Sequence, residues 1–151
     1  MADVDEAETV AQLLIGFRNH LGHDWPSDNA FLAGVDKLIE DRGTDFVIGS
    51  PDADAPPAGI VVLRYRHSIW TASEDCLMED VYVDEHARGA GLGRALMEFA
   101  LERARERGCR RAELDVNEAN EPALKLYESL GFGKKSTPWA GRDLFINIRL
   151  D

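Results

Sequence analysis

The chain has 151 residues and a mass of 16.8 kDa, a length that suits one domain with its own core. Hydrophobic residues make up 44% and charged residues 30%, which is ordinary for a globular protein and argues against disorder. The net charge of −11 argues against a nucleic-acid partner, because phosphate binding needs clustered lysine and arginine.

Two helices are predicted at the start of the chain, from the apolar residues of segments 10–21 and 31–39. In both segments the apolar residues repeat at the spacing of one helical face. Ser27 or Asp28 can cap the second helix, and Gly43 can end it. The apolar face of the first helix consists of Val10, Leu13, Leu14, Phe17 and Leu21.

Three strands are predicted after these helices. Residues 45–50 (DFVIGS) and 59–70 (GIVVLRYRHSIW) are joined by the loop PDADAPPA, whose prolines and aspartates favour turns. A third strand extends from about Cys76 to Val83. These segments are rich in β-branched and aromatic residues, which are typical of strands.

The rest of the chain alternates between helix and strand. A helix is predicted from Leu92 to Gly108, a strand on residues 111–116, and a short helix that Asn120 caps and Gly131 ends. The segment LFINIRL (144–150) closes the chain as a strand. The predicted order α-α-β-β-β-α-β-α-β-β indicates a single-domain α/β fold.

The third strand leads directly into a glycine-rich turn before a helix, and such turns bind anions through their backbone N–H groups. The Walker pattern GxxxxGK[ST] is absent from the sequence. The dinucleotide pattern GxGxxG fails because Arg94 occupies its third glycine position. Arg88, Gly91 and Gly93 match the remaining pattern, [R/Q]-x-x-G-x-[G/A]. The alternative is that the turn merely connects strand and helix.

Two segments together resemble the GNAT family of N-acetyltransferases. They are VYVDEHARGAGLGRAL and, some 25 residues later, NEANEPALKLYESLGF. The resemblance implies one domain over residues 1–151, with a mixed central sheet that has splayed strands and is flanked by helices. Within it, residues 1–43 would form the acceptor side and residues 76–131 the acetyl-CoA-binding core.

The resemblance also implies which residues contact acetyl-CoA, the acetyl donor. The amides of residues 88–94 would bind its pyrophosphate, with arginine charge nearby, and two valines of the preceding strand would contact pantetheine. Asn120 would contact coenzyme A as well as cap its helix. The predicted cofactor-binding residues are Val81, Val83, Arg88, Gly89, Gly91, Gly93, Arg94 and Asn120.

Catalysis of amine acetylation needs a base, because removing a proton from an ammonium with a pKa near 10 at neutral pH costs about 3 to 4 kcal/mol. MEDVYV, NEP and the following tyrosine look most like the spermidine/spermine (diamine) N-acetyltransferase branch. That resemblance implies Glu79 as base, often through water, Asp80 as an ammonium contact and Tyr127 as the acid that protonates the leaving thiolate. In a regular strand Glu79 and Asp80 point to opposite faces, but the family carries a bulge here that disturbs this alternation.

The acidic charge of the chain either keeps the protein soluble or forms an anionic wall that attracts a cationic acceptor. Residues 1–56 contain 12 acidic and 3 basic residues, a net charge of −9. Asp24 and Trp25 are candidate substrate-binding residues, because aromatic rings and carboxylates together suit ammonium groups; Trp25 and Trp70 can equally be core residues. The leading hypothesis is acetylation of a small amine. The alternatives are a protein N-terminal or lysine acetyltransferase and a non-catalytic module that binds coenzyme A.

The sequence predicts no membrane segment, targeting peptide or metal site. The longest apolar runs are too short to cross a membrane, and the acidic start is no targeting peptide, so a cytosolic protein is expected. No metal site is predicted, since the histidines and the two cysteines lack ligand spacing. Transfer through Cys76 or Cys109 is a minor covalent alternative. A homodimer is expected from the resemblance alone.

Overall fold

The computed structural model describes residues 1–133 together with residues 146 and 148. The chain forms two compact units, Met1–Asp115 and Val116–Asp151. The strand predicted on residues 144–150 lies outside the described residues, apart from two isolated positions. The assignment of residues 1–151 to one domain stays a prediction.

Two helices begin the first unit, after a short 3-10 helix at Val4–Glu6. Helix α1 spans Ala7–His20 and helix α2 spans Asp28–Leu38. Ser27 caps α2 as predicted, since its hydroxyl accepts a hydrogen bond from the Ala30 N–H at 3.3 Å. The prediction that Gly43 ends this helix is wrong. The chain turns earlier, where the Asp41 N–H donates to Leu38 and the Asp41 carbonyl accepts from Thr44.

Four strands form a mixed sheet in the order β1-β2-β3-β4. Strand β1 pairs antiparallel with β2, β2 pairs antiparallel with β3, and β3 pairs parallel with β4. The strands span Thr44–Gly49, Gly59–Ser68, Ser73–Val83 and Arg111–Glu113.

Helices cover both faces of this sheet. Helix α3, Leu92–Glu106, packs on one face, where a Cβ added at Gly59 would lie 2.7 Å from a methyl carbon of Leu96. Helices α1 and α2 pack on the other face, where their apolar side chains form a buried cluster with the sheet. That cluster contains Val10, Leu13, Leu14, Val35, Phe46, Ile60, Val62 and Tyr82. The predicted α/β fold class, a mixed sheet flanked by helices, is confirmed.

Strand β3 separates from its β4 neighbour soon after they pair. The pairing covers only Asp75 to Leu77 on β3, and beyond Leu77 this edge of β3 has no partner strand among the described residues. Asp75 is fully buried and accepts hydrogen bonds from Thr71 and from the Arg111 guanidinium. This ion pair fixes the paired end, so that the strands part toward the C-terminal end of β3.

The start of the chain extends the sheet by a single hydrogen bond, from the Ala2 N–H to the Phe46 carbonyl at 2.8 Å. Among the described residues, no strand precedes α1. In the second unit, helix α4 spans Glu121–Ser129. None of the described helices combines the length and apolarity needed to cross a bilayer.

Candidate functional site

The glycine-rich turn presents bare backbone at the N-terminus of α3. Gly89 and Gly91 adopt positive φ angles of 81° and 90°, a conformation that side chains disfavour. Gly91 is the N-cap residue, and no side chain of the described residues caps the helix there. The first helical bond runs from the Ala95 N–H to the Gly91 carbonyl, so the amides just before Ala95 have no partner within the helix.

This turn fits the pyrophosphate of coenzyme A. Added Cβ atoms at Gly89 and Gly91 would meet nothing within 4 Å, which leaves the approach to the amides open. The first turn of α3 contains no acidic residue, so no carboxylate competes with a phosphate for its positive dipole end. Residues 88–94 therefore have the backbone chemistry that the resemblance assigns to them.

The two arginines of the turn contact protein groups. The Arg88 Nε donates to the Val83 carbonyl at 2.8 Å, and its guanidinium lies 6.0 Å from the centre of the Tyr82 ring. Another Arg88 nitrogen is 3.4 Å from Nε2 of His20, at the end of α1. Arg94 pairs with Glu98 one turn along α3. Arg88 thus fastens the turn to the end of β3 and to α1.

Strand β3 carries a β-bulge at Glu79. Leu63 of β2 pairs with Met78 and Val62 pairs with Asp80, so Glu79 is the extra residue. Its side chain is exposed, whereas that of Asp80 is half-buried. The bulge implied by the resemblance is therefore present at the predicted catalytic carboxylates.

The bulge brings both carboxylates to the same face of the sheet. Val62 belongs to the core cluster with α1 and α2, so its partner Asp80 also faces these helices. Gly59 faces α3, and Leu63, four residues along β2, therefore faces α3 together with its partner Met78. Glu79 follows Met78 and so points to the side of α1 and α2, like Asp80. The bulge overrides the alternation of a regular strand.

Burial changes the proton affinity of one of these acids. Desolvation, followed by repulsion from the neighbouring Glu79 charge, raises the pKa of Asp80 from its usual value to about 6. A carboxylate with this pKa is ionised at neutral pH and binds protons more strongly than an exposed aspartate. The strand thus places a suitable base beside a second carboxylate.

The second unit contains the other predicted catalytic residue, Tyr127 of α4, which is 8% exposed and packs edge-on against Phe132. Burial raises its pKa, so its hydroxyl keeps its proton at neutral pH. Burial of this kind suits a core residue as well as a proton donor. Asn120 caps α4 as predicted, accepting a hydrogen bond from the Ala123 N–H.

The predicted acceptor residues Asp24 and Trp25 lie in the exposed connection between α1 and α2. Trp25 is 68% exposed and Trp70, at the tip of the β2–β3 hairpin, is 93% exposed, so the alternative that they are core residues is wrong. Both lie where the chain turns, beyond the apolar faces of the helices and strands. Arg18 holds the connection by bonds to the Pro26 carbonyl and to Asp28.

Sequence analysis missed Arg18, His20 and Tyr82 as residues that shape this region. Tyr82 stacks on Phe17 of α1 at 5.3 Å between ring centres and donates its hydroxyl to Asp84. The alternation of β3 could have indicated that Tyr82 faces the core. The contacts of Arg18 and His20 depend on the packing of α1, for which the sequence gives no signal.

The covalent alternative loses support from the cysteines. Cys76 is fully buried, and its desolvation raises the pKa of the thiol to about 12. Burial also raises the pKa of Cys109. Both thiols are therefore protonated at neutral pH, and a protonated thiol is a poor nucleophile.

A cavity of about 440 Å³ lies beside α1 in the first unit, and neither Glu79 nor Asp80 lines it. Three carboxylates contribute to its walls, so it adds to the negative potential of this side. Its lining residues are Asp5, Glu8, Thr9, Gln12, Leu13, Pro57 and Asp84. Asp24 and Trp25 are not among them.

Comparison with known proteins gives partial similarities to characterised enzymes. A mycothiol acetyltransferase of Thermomonospora curvata is 47% identical over 66 residues, which cover 42% of this chain and 22% of that protein. A thialysine N-epsilon-acetyltransferase of Sus scrofa is 35% identical over 84 residues, which cover 52% of this chain and 49% of that protein. The chain thus spans less than half the length of these relatives.

A solved structure shows the same fold over nearly the whole chain. It is a protein from Arthrobacter sp. FB24 assigned as an acetyltransferase, with a TM-score of 0.85 and 26% identity. The similarity covers 99% of this chain and 93% of that one. The model of the acetyltransferase (GNAT) family matches residues 11–132, which include the bulge, the glycine-rich turn and α4. This chain therefore belongs to the acetyltransferase (GNAT) family.

Proposed function

We propose that this protein is an N-acetyltransferase that transfers acetyl from acetyl-CoA to a primary amine by direct attack in a ternary complex. The observation that carries the proposal is the construction of β3. This strand places two carboxylates on one face at its bulge and, nine residues later, leads into the bare amides of the turn. One element thus supplies both the proposed base and the approach to the proposed phosphate site.

The amides of residues 88–94 hold the pyrophosphate, with Gly89, Gly91 and Gly93 giving access and Arg88 and Arg94 adding positive charge. Pantetheine enters where β3 parts from β4, and it contacts the backbone of Val81 and Val83 there. N–H groups at this edge, which faces no partner strand among the described residues, can polarise the thioester carbonyl, as donors in other acyl-transfer enzymes do. Asn120 adds a contact to coenzyme A.

Proton transfers complete the reaction. A carboxylate at the bulge takes the proton of the acceptor ammonium; the resemblance assigns this role to Glu79, with Asp80 as an ammonium contact. The amine lone pair then attacks the thioester carbon, and the carbon–sulfur bond breaks. Tyr127 gives its proton to the departing thiolate and regains one from the acylated nitrogen, which loses its second proton to become a neutral amide. Because the thiol of coenzyme A has a pKa about one to two units below that of tyrosine, this transfer is uphill and requires the hydroxyl to lie close to the sulfur.

The acceptor is a small cationic amine, such as a polyamine, a diamine or an amino-acid-like amine. The net charge of −9 on residues 1–56 and the paired carboxylates support this choice, because each favours ammonium over a neutral group. The spermidine/spermine branch is the finer form of the hypothesis, resting on the MEDVYV and NEP segments. Asp24 and Trp25 are proposed to contact the amine beside α1 and α2.

A panel of amines tests the proposal. Spermidine, thialysine, lysine, a peptide with a free N-terminal alanine and a neutral monoamine are each incubated with acetyl-CoA, and released thiol is measured with a dye. Turnover highest with the small cations supports the proposal, and turnover highest with the peptide indicates the protein acetyltransferase instead. No turnover with any amine, alongside heat of coenzyme A binding in calorimetry, favours a non-catalytic module. Homodimer formation, also proposed, is measured by analytical ultracentrifugation.

A further inference from the structure

The bulge distinguishes its two carboxylates by their surroundings. Glu79 is the extra residue of the bulge and its side chain is exposed. Asp80 returns to the regular pairing opposite Val62, is half-buried, and faces the helices that cover this side of the sheet. One carboxylate is therefore solvated and the other is largely removed from water, although they are neighbours in sequence and share a face.

The two carboxylates of such a pair can have different roles in an active site. A solvated carboxylate keeps its charge easily and is a weak base, whereas a desolvated one binds protons more strongly. Where two titratable groups have environments that separate their proton affinities, the groups can be assigned different roles. The sequence alone could not make this distinction, because it depends on where the bulge falls.

The other charged groups of this face have partners elsewhere. Arg18 of α1 contacts Asp28, and His20 at the end of α1 contacts Arg88. Arg64 of β2 lies opposite Leu77 in the sheet, and its positive charge helps to lower the pKa of Asp41. The buried residues of α1 and α2 are all apolar. Among the described residues, Glu79 is the charged group whose repulsion raises the pKa of Asp80.

We infer that Asp80, and not Glu79, takes the proton from the acceptor amine, and that Glu79 holds the ammonium group at the mouth of the site. This inference rests on the proposed function and reverses the roles that the resemblance assigns. One N–H bond of the ammonium breaks and an O–H bond forms on Asp80. The freed lone pair forms the N–C bond to the acetyl carbon as the carbon–sulfur bond breaks. The sulfur leaves as the thiolate that Tyr127 protonates, and the second proton of the nitrogen restores Tyr127. Asp80 releases its own proton to solvent after the product leaves.

The proton affinity of Asp80 agrees with this role. A pKa of about 6 leaves Asp80 ionised at pH 7.4 and makes it about two units more basic than an ordinary aspartate. Base catalysis becomes more effective as the pKa of the base approaches the working pH. The negative charge of Glu79 contributes to the raised pKa of Asp80, so removing that charge lowers it.

The pH dependence of kcat/KM tests the inference in the full chain, with the best amine of the panel. For the wild type, kcat/KM is expected to fall below about pH 6, and this decline is the acidic limb of the profile. Asp80→Asn should lower kcat by about 10²- to 10⁴-fold and lose this acidic limb. Glu79→Gln should raise the KM for the amine about 10-fold, change kcat by less than 10-fold, and move the limb to lower pH. Asp80→Glu, which keeps a carboxylate, should retain the limb with reduced kcat.

The opposite pattern overturns the inference. If Glu79→Gln loses both kcat and the acidic limb while Asp80→Asn retains them, Glu79 is the base. Calorimetric titration of each variant with coenzyme A and its circular dichroism spectrum show whether it is folded. If Asp80→Asn does not fold, the pH profile of Glu79→Gln tests the inference by itself. An acidic limb at the same pH as in the wild type would contradict the effect of the Glu79 charge on the pKa of Asp80. A wild type that acetylates no amine overturns the proposed function, and the inference with it.

Discussion

At the scale of single residues, the half-buried carboxylate of Asp80 opposes folding at neutral pH. Its pKa is raised from an ordinary value of 3.8 to about 6 in the folded chain. Below the lower value Asp80 is protonated in both the folded and unfolded states, so it contributes nothing. As the pH rises through 6, the folded state must lose a proton that it binds more strongly than the unfolded state does. The free energy of unfolding therefore falls by roughly 1 to 3 kcal/mol.

Asp80→Asn should therefore stabilise the protein at pH 8 and not at pH 4. We expect the midpoint of thermal unfolding to rise by roughly 3 to 8 °C at pH 8, and the difference from wild type to shrink as the pH approaches 4. Asp36→Asn, an exposed change on α2, serves as the control and should alter stability by less than about 0.5 kcal/mol at both pH values. Equal effects of Asp80→Asn at the two pH values would show that Asp80 is not desolvated.

Tyr127 can be tested by removing one oxygen. Tyr127→Phe keeps the ring, and with it the edge-on contact to Phe132, but removes the hydroxyl that would protonate the leaving thiolate. We expect kcat to fall by about 10- to 1000-fold while the dissociation constant for coenzyme A changes little. Steady-state kinetics and calorimetry measure the two quantities. Wild-type turnover in this variant would leave Tyr127 as a core residue.

At the scale of the element, helix α3 offers a matched pair of glycines at its two ends. Gly91 precedes its first turn and Gly108 follows its last, and both have positive φ angles and no atom within 4 Å of an added Cβ. A bulky substitution introduces similar backbone strain at either end, about 1 to 2 kcal/mol. Only the first end carries the amides proposed to bind phosphate.

Gly91→Trp should therefore abolish binding of coenzyme A, whereas Gly108→Trp should retain it. Both variants should lose similar stability, since the strain is similar and neither site is packed. Isothermal titration with coenzyme A measures binding, and thermal unfolding measures stability. Binding of coenzyme A to Gly91→Trp with unchanged affinity would contradict the placement of the pyrophosphate.

The elements themselves follow largely from local sequence, whereas the site does not. Helical spacing predicted α1 and α3 because each has one apolar face, and Ser27 and Asn120 marked helix starts through their own side chains. The end of α2 was misplaced by five residues, because a turn around Asp41 precedes Gly43. The bulge at Glu79 depends on the register of β3 against β2, which no local pattern specifies, and the relation of the two carboxylates follows from that register.

At the scale of the whole molecule, charge is distributed unevenly along the chain. Residues 1–56 have a net charge of −9, and residues 57–151 have a net charge of −2, with 16 acidic and 14 basic residues. A protein with this net charge attracts cations and repels anions over about a Debye length, which is roughly 10 Å at 0.1 M salt and about 30 Å at 0.01 M. The two proposed substrates have charges of opposite sign.

Salt should therefore act in opposite directions on the two substrates. When NaCl is raised from about 20 to about 300 mM, we expect the KM for a diamine to increase severalfold, because screening weakens its attraction to the negative chain. The KM for acetyl-CoA should fall or stay constant, since screening reduces the repulsion between its phosphates and the net charge of −11. A monoamine of equal length is the control, and its KM should change less because it carries one charge. Equal increases for the diamine and the monoamine would contradict an acceptor side that selects cations by charge.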